Sequence, residues 1–468
     1  MIKFGTGGWR AVIGEDFVQE NVRKVAAGIL CLMREEKKMD KPVIIGFDRR
    51  FLSEYAARWV AEVLAAGGVH VWFMRRSAPT PLVMHTVKDE KLYFGIEITA
   101  SHNPANYNGI KLVVEEGRDA PLEVTEKLEK YIENATPEYM DFNQAVEEGT
   151  VEYLANPFNK FLDDIIGLLD MKALRNRGLR VLFDSMHGSG AYPLLVIFYT
   201  ARCTIDTINT NKDAYFGGLM PAPSEQSLTS LQDGVVKGGY DLGIAMDGDG
   251  DRLGIVDRNG KYISANEILC MLYYYLVKYK GWKGPVVRNL ATTHMLDRIA
   301  ESFGEKCYEV PIGFKYISSK LDEVDAVLGG ESSGGLTVKG HIHGKDSIYA
   351  ASLFAEMVSV TGKSPSEIMD ELESQFGHFE MVEDNIHFSP ERKSIINKIL
   401  MTEKRLPDFG EEIVRVNYED GCKVYFKDDS FVICRFSGTE PLLRIFAESK
   451  NTVRASAYIR AFKDFLQL

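Results

Sequence analysis

Short apolar runs alternate with stretches whose apolar positions recur at helical spacing through most of the chain. Residues 43–47 (VIIGF) predict a strand, 54–66 a helix, 69–73 a strand and 81–87 a helix. Residues 92–99 predict a strand that runs into a polar loop. Further on, 180–183 predicts a strand, followed by a turn at 188–190 and an apolar helix. Residues 241–246 predict another strand, ending in DGDGDR, and 257–260 a hairpin turn. A new series of helices and strands runs from Asn266 to about Phe376. Such alternation predicts an α/β architecture with parallel or mixed sheets. After that the pattern changes. Runs at 379–386, 412–416, 423–426, 431–436 and 442–447 predict strands, and one helix closes the chain. This reads as a smaller α+β domain. The polar, acidic segment 133–156, with Pro137 inside it and Pro157 after it, reads as a link between domains.

Length and composition narrow the picture. At 468 residues the chain is roughly three times a typical domain, so two to four domains are expected. The 45% hydrophobic and 26% charged content is that of a globular protein with several cores. The net charge of −12 makes a nucleic-acid partner a poor expectation. A phosphate ligand would need positive charge gathered locally. The six cysteines form no CxxC pair, which argues for reduced thiols rather than zinc or a disulfide framework. The first residues carry no secretory apolar core, and the apolar run near 194–199 is far too short to span a bilayer. The expectation is a cytoplasmic protein with no membrane partner.

Five polar segments carry candidate chemistry. Asp247, Asp249 and Asp251 lie at i, i+2 and i+4 and supply hard oxygen ligands for Mg²⁺ or Ca²⁺. On a flat strand such side chains would be roughly 7 Å apart, and Gly248 and Gly250 allow the backbone to curl them together. An EF-hand would need Gly and Glu where Arg252 and Arg258 stand, so that reading fails. Thr99-Ala100-Ser101-His102-Asn103-Pro104 exposes a hydroxyl at a strand end, with Lys111 downstream. Neighbouring side chains usually point apart, so Ser101 and His102 do not read as a hydrolase dyad. In Arg435-Phe436-Ser437-Gly438-Thr439-Glu440-Pro441, backbone N–H groups could converge on an anion, and Arg435 and Arg444 add forked donors. Gly329–Gly335 (GGESSGG) matches GxSxG formally, but an extended run follows where a nucleophile elbow needs a helix. A loop offering Glu331 and Ser333 to sugar hydroxyls fits better. Phe4–Arg10 (FGTGGWR) lacks the strand before it and the spacing of a dinucleotide loop, so Arg10 reads as one more positive charge for an anionic site.

In this order the five segments resemble the α-D-phosphohexomutase family, which includes phosphoglucomutase and phosphomannomutase. The resemblance spans the chain from Phe4 to Arg444. It implies three related α/β domains with mixed sheets and a smaller C-terminal α+β domain around a central cleft. The expected domains are 1–150, 151–258, 259–374 and 375–468. It also implies roles. Ser101 would carry a phosphoryl group, and its phosphate with Asp247, Asp249 and Asp251 would ligate Mg²⁺. Arg10, Lys111 and Arg252 would surround the transferring phosphate, with Lys111 and His102 as candidates for proton transfer. Glu331 and Ser333 would read the sugar. Arg435, Ser437, Gly438 and Thr439, followed by Arg444, would hold the non-reacting phosphate, and Lys315 would add a cation. A sugar 1,6-bisphosphate would be the activator, and a small phosphosugar the partner of a monomer or homodimer.

The resemblance implies an isomerase that interconverts hexose 1-phosphate and hexose 6-phosphate. Some bifunctional and glucosamine-type relatives carry His at the position of Gly335, and several bifunctional ones carry Asn at that of Gly438. Both departures point to glucose, with mannose possible, since the two differ only at the C2 hydroxyl. Phosphoglucosamine mutase and phosphopentomutase remain open alternatives. A non-catalytic phosphosugar-binding protein is the reading from another class. It would be expected to have lost Ser101 or the aspartates, and all four are present.

Overall fold

The computed structural model describes residues 2–5, 7–437 and 442–468. It divides into two compact units, residues 1–268 with 333–366, and 269–332 with 367–468. No described helix is long and apolar enough to cross a membrane.

The first unit opens with a mixed sheet of seven strands: β1 (Trp9–Val12), β2 (Val43–Phe47), β3 (Val71–Phe73), β4 (Phe94–Ile98), β5 (Tyr107–Val114), β6 (Arg118–Asp119) and β7 (Val151–Tyr153). The order is β1-β5-β4-β2-β3-β7, with β6 on β5. Strands β4, β2, β3 and β7 run parallel, and β1 and β5 run antiparallel to their neighbours. Every residue of β2 and β4 is buried, which explains their unbroken apolar runs. Each Ile or Val buried there stabilises the fold by about 1.5–3 kcal/mol.

The segment read as a link is part of this sheet. Asp141 caps a short helix, Phe142–Glu147, by accepting the N–H groups of Asn143 and Gln144, and β7 pairs with β3. Phe142, Ala145 and Val151 are its buried anchors. Three apolar anchors among acidic neighbours are too few to show as periodicity. The first sheet therefore reaches Tyr153. Pro157, just after that segment, begins the helix Pro157–Leu168, where a missing N–H costs nothing.

A second mixed sheet has the order β12-β11-β10-β8-β9, from β8 (Arg180–Asp184), β9 (Thr204–Ile208), β10 (Leu242–Met246), β11 (Leu253–Asp257) and β12 (Tyr262–Ile263). Its helix Thr229–Gly238 packs Leu231 and Val235 against Leu182, Ala245 and Val256. The turn expected at 257–260 joins β11 to β12.

In the second unit β13 (Val286–Asn289) lies parallel between β14 (Cys307–Val310) and β15 (Leu328–Gly330). The helix Phe314–Val324 covers it through Phe314, Ile317 and Leu321. At 333–366 the chain contributes β16 (Leu336–Val338) and the helix Ser347–Thr361 to the first unit. The remainder forms an antiparallel sheet in the second unit, with the order β17-β21-β20-β19-β18. Its strands are β17 (Glu380–His387), β18 (Ile413–Asn417), β19 (Cys422–Phe426), β20 (Phe431–Phe436) and β21 (Leu442–Ser449). The closing helix Thr452–Leu466 seals its core with Tyr458, Ile459 and Phe462. No disulfide joins the cysteines among the described residues.

Candidate active site

Three strands of the first unit end where the candidate residues begin: β2 before Asp48, β4 before Thr99 and β10 before Asp247. Ligands gather at such carboxyl ends in open α/β sheets.

Ser101 is fully buried and holds a left-handed backbone, φ +50°. For a serine that conformation stores about 1–3 kcal/mol of strain. Two contacts enforce it. The Ser101 N–H donates to Thr99 Oγ1 at 2.8 Å, and its carbonyl accepts from Arg50 Nη2 at 2.6 Å. Arg50 also donates to the carbonyls of Asn103, Pro104 and Tyr107, so one guanidinium organises the whole turn. Asp48 supports it by accepting from the Arg50 N–H, Ser53 Oγ and Thr99 Oγ1.

The three aspartates converge: their ligand atoms all lie within 4.8 Å of one another, and all three are buried. Gly250 adopts φ +71° in the curl. Gly248 allows the loop to touch the serine turn, since a Cβ there would lie 2.8 Å from the Ser101 carbonyl oxygen. The Ser101 hydroxyl donates to Asp247 Oδ2 at 2.8 Å. Asp247 Oδ1 accepts the N–H groups of Asp251 and Arg252. Asp249 Oδ2 accepts from Thr80 Oγ1 and Lys111 Nζ, both at 2.6 Å. Asp251 Oδ2 accepts from Lys111 at 2.7 Å and meets Lys345 at 3.1 Å.

The electrostatics follow from this crowding. Burial, then Asp249 and Asp251, hold the Asp247 carboxyl well above its ordinary range. Burial pushes Asp251 the same way, but Lys111 and Lys345 outweigh it and bring that carboxyl well below its usual range. Burial opposes the charge of Lys111, yet Asp249 and Asp251 raise its pKa. Asp249 Oδ1 and Asp251 Oδ1 are buried and accept no hydrogen bond among the described residues. Such carboxylate oxygens are costly unless something positive meets them. Converging carboxylates with vacant oxygens are the donor set of a hard divalent cation, so these residues fit Mg²⁺.

Arg10, on β1, donates to Asn103 Oδ1 at 2.6 Å, and burial and Arg252 pull its pKa down, although a guanidinium stays charged. Arg252 Nε lies 3.9 Å from Asp251 Oδ1. His102 departs from expectation. The left-handed turn brings its Nδ1 to 3.4 Å from Ser101 Oγ, although sequence neighbours usually diverge. That is long for a good hydrogen bond. Burial, with Arg252 and Arg10, holds the His102 pKa well below its usual value. Ser333 is exposed, and the glycines after it adjoin the end of the DGDGDR segment: Gly335 bridges Arg252, and the Gly334 carbonyl accepts the Leu253 N–H.

In the second unit Glu331 is buried at the end of β15, where Asn289 Nδ2 donates to its Oε2 at 3.3 Å. Lys315 stands in the first turn of Phe314–Val324, its Nζ 5.3 Å from the Tyr316 ring centroid. Arg435 and Arg444 are direct cross-strand partners on β20 and β21, and Ser437 N–H donates to the Leu442 carbonyl. Gly438 and Thr439 lie outside the described residues.

Three regions of the chain match family models: residues 1–138, 159–260 and 264–376 match α/β/α domains I, II and III of phosphoglucomutase/phosphomannomutase. A "Probable phosphoglucosamine mutase" of Methanobrevibacter smithii is 30% identical over 97% of this chain and 96% of its own length. The chain belongs to the α-D-phosphohexomutase family. It is thus an isomerase of the phosphomutase class. A "Phosphoglucomutase/phosphomannomutase" of Thermococcus kodakarensis is 28% identical over 97% of this chain and 96% of its own. A crystal structure of a "putative phosphomannomutase" from Thermus thermophilus superposes with a TM-score of 0.87 at 27% identity, covering 100% of this chain and 99% of that one. For a phosphohexomutase this chain also shows contributors that the motifs did not reveal: Asp48, Arg50, Thr80 and Lys345. The first two follow a buried strand directly in the run Asp48-Arg49-Arg50, a charge cluster at a strand end that could have flagged them. Thr80 and Lys345 carry no comparable local signal.

Proposed function

We propose that this phosphohexomutase interconverts hexose 1-phosphate and hexose 6-phosphate, with Ser101 as the phosphate carrier. The observation that carries the reading is the Ser101 hydroxyl, buried and 2.8 Å from one of three converging carboxylates. A serine hydroxyl is a weak nucleophile at neutral pH, so a loaded and recycled phosphoserine suits it better than activation in each turnover. Asp247, Asp249 and Asp251, with the phosphoserine, would hold Mg²⁺. Bound there, the ion would supply positive charge to the transferring phosphoryl group.

The chain's own residues have these roles. Asp247 orients Ser101 Oγ. Arg10 and Arg252 offer forked donors to phosphoryl oxygens, since phosphoryl transfer needs charge neutralisation and alignment above all. Lys111 and His102 are the candidates to move the sugar hydroxyl proton. The phosphoryl group passes from Ser101 Oγ to a free sugar hydroxyl, which loses its proton, and a sugar 1,6-bisphosphate results. That intermediate turns round and returns its other phosphate to Ser101. Added bisphosphate would reload a serine that had lost its phosphate. Glu331 and Ser333 are the proposed sugar readers. Arg435, Ser437, Gly438, Thr439 and Arg444 are the proposed holders of the non-reacting phosphate, with Lys315 as a further cation.

Glucose phosphate is the favoured substrate, from the residues at Gly335 and Gly438. Glucosamine phosphate is the second reading, favoured by the name of the Methanobrevibacter smithii relative. The test is a coupled assay with Mg²⁺ and a trace of glucose 1,6-bisphosphate. It compares the 1-phosphates of glucose, mannose, glucosamine and ribose. The highest kcat/KM is expected for glucose 1-phosphate. A glucosamine preference would favour the second reading, and a ribose preference would overturn both.

A further inference from the structure

Arg435 and Arg444 face each other across neighbouring strands of the second unit. Like charges directly opposite one another destabilise a sheet unless an anion lies near. Asp420 supplies that anion. It sits in the turn between β18 and β19, and its Oδ1 accepts from Arg435 Nη2 at 3.2 Å and more weakly from Nε at 3.4 Å. Its other oxygen, Oδ2, accepts the Ile312 N–H at 3.0 Å. Ile312 directly precedes Gly313-Phe314-Lys315. One carboxylate thus ties the first arginine of the Arg435 segment to the residues that lead into the helix carrying Lys315. The turn is built for closeness. Gly421 holds φ +92°, and a Cβ there would lie 2.6 Å from both Arg435 Cβ and the Cys434 carbonyl oxygen.

We propose that Asp420 is a positioning residue that acts as a resident counter-ion, occupying Arg435 until a substrate phosphate takes the guanidinium over. This rests on the reading of the Arg435 segment as the phosphate holder. A guanidinium has five N–H donors, and Asp420 engages two of them, so Arg435 is pre-oriented while other donors remain for the ligand. The carboxylate also repels the arriving phosphate. It therefore weakens binding and speeds release, which suits an enzyme whose intermediate must let one phosphate go and present the other.

The test is steady-state kinetics with glucose 1-phosphate at several ionic strengths, beside a thermal melt of each variant. Asp420→Asn keeps an acceptor for Ile312 and removes the charge. It is expected to lower KM about 3- to 10-fold, the scale of one charge–charge contact at a partly exposed site. The same variant is expected to lower kcat as release slows, and to steepen the rise of KM with salt. Asp420→Ser keeps a short acceptor without charge and must move KM the same way, which guards against one variant misfolding. Arg435→Ala separates the two layers of the argument. If it leaves KM unchanged, the phosphate-holder reading fails and the counter-ion role falls with it. If Arg435→Ala raises KM while both Asp420 variants leave it unchanged or raised, the counter-ion role alone is overturned.

Discussion

Each of the two units buries carboxylates among lysines and arginines, and the two clusters are finished in opposite ways. In the second unit Glu309 is saturated. It accepts from Lys423 Nζ and Arg288 Nη1, both at 2.6 Å, and from the Tyr425 hydroxyl. Arg288 turns its other edge to Asp297 in a bidentate pair. Lys423 also meets His294 Nε2 at 3.0 Å, while His294 Nδ1 faces the Asp429 carbonyl. None of the buried polar atoms of Glu309, Arg288, Lys423 or His294 lacks a partner among the described residues. In the first unit two aspartate oxygens are left over and the serine beside them is strained. A saturated cluster joins β13 and β14 to β19. An unsaturated, convergent one is prepared for something absent from the chain. The number of buried charges does not separate a site from a strut; the unspent acceptors do.

This contrast can be broken by substitution. Asp247→Asn replaces a carboxyl whose charge is disfavoured by burial and by Asp249 and Asp251, so the metal-free fold should tolerate it. Mutase activity should fall about 10²- to 10³-fold, the scale of losing one preorganised charge-stabilising group. The melting temperature of the metal-free protein should stay level or rise. In the wild type, Mg²⁺ at a hundred times its Kd should stabilise the fold by about 2.7 kcal/mol, and that gain should shrink in the variant. Activity near wild type would remove the triad from the chemistry.

Glu309→Gln should do the reverse. It leaves Lys423 and Arg288 buried against a neutral partner and should cost about 3 kcal/mol of stability in a urea melt. Activity per folded molecule should change far less than in Asp247→Asn. A variant as stable as wild type would show that the cluster is not a strut.

The smallest effect concerns acid. Burial, with Lys423 and Arg288, pulls His294 down to about 4 from 6.5. The unfolded chain binds that proton below pH 6.5, whereas the folded chain resists until about pH 4. Stability from this group is therefore full above pH 6.5 and is lost as pH falls towards 4. Burial works against Glu309, but His294, Arg288 and Lys423 hold its pKa well below the usual range, so it loses stability in the same direction at lower pH. His294→Asn should flatten the fall in stability between pH 6.5 and 4 by about 1–3 kcal/mol. An unchanged pH profile would argue against a buried neutral His294.

How much of this was legible in the sequence depended on local density. The DGDGDR, TASHNP and GGESSGG segments pack several polar or glycine residues at the end of an apolar run, and each stands at a strand end or in a tight loop as read. The antiparallel C-terminal sheet was legible because β18 to β21 follow one another without an intervening helix, whereas the helix Pro390–Asn397 between β17 and β18 went unread. Single residues were not. Lys345 reaches Asp251 from a loop nearly a hundred positions away in sequence, and Thr80 bonds Asp249 from a helix start. Glu97 is buried in β4 opposite Lys111, with burial and then Asp48 raising its pKa well above the ordinary range, and it looks in sequence like one polar interruption of a strand. Such contacts are made by tertiary structure, and no spacing rule encodes them. The helix and strand at 142–153 were missed because each is too short to establish a period.

The central claim is that Ser101 carries the phosphate. Intact-mass and peptide mapping of the purified protein tests it most directly. The account predicts a population about 80 Da heavier, the mass of one phosphoryl group, mapping to Ser101. That mass should be lost to an excess of hexose phosphate and restored by the bisphosphate, and Ser101→Ala should lack both the label and mutase activity. Full mutase activity in Ser101→Ala, or a phosphate that maps to another residue and turns over with the reaction, would contradict it.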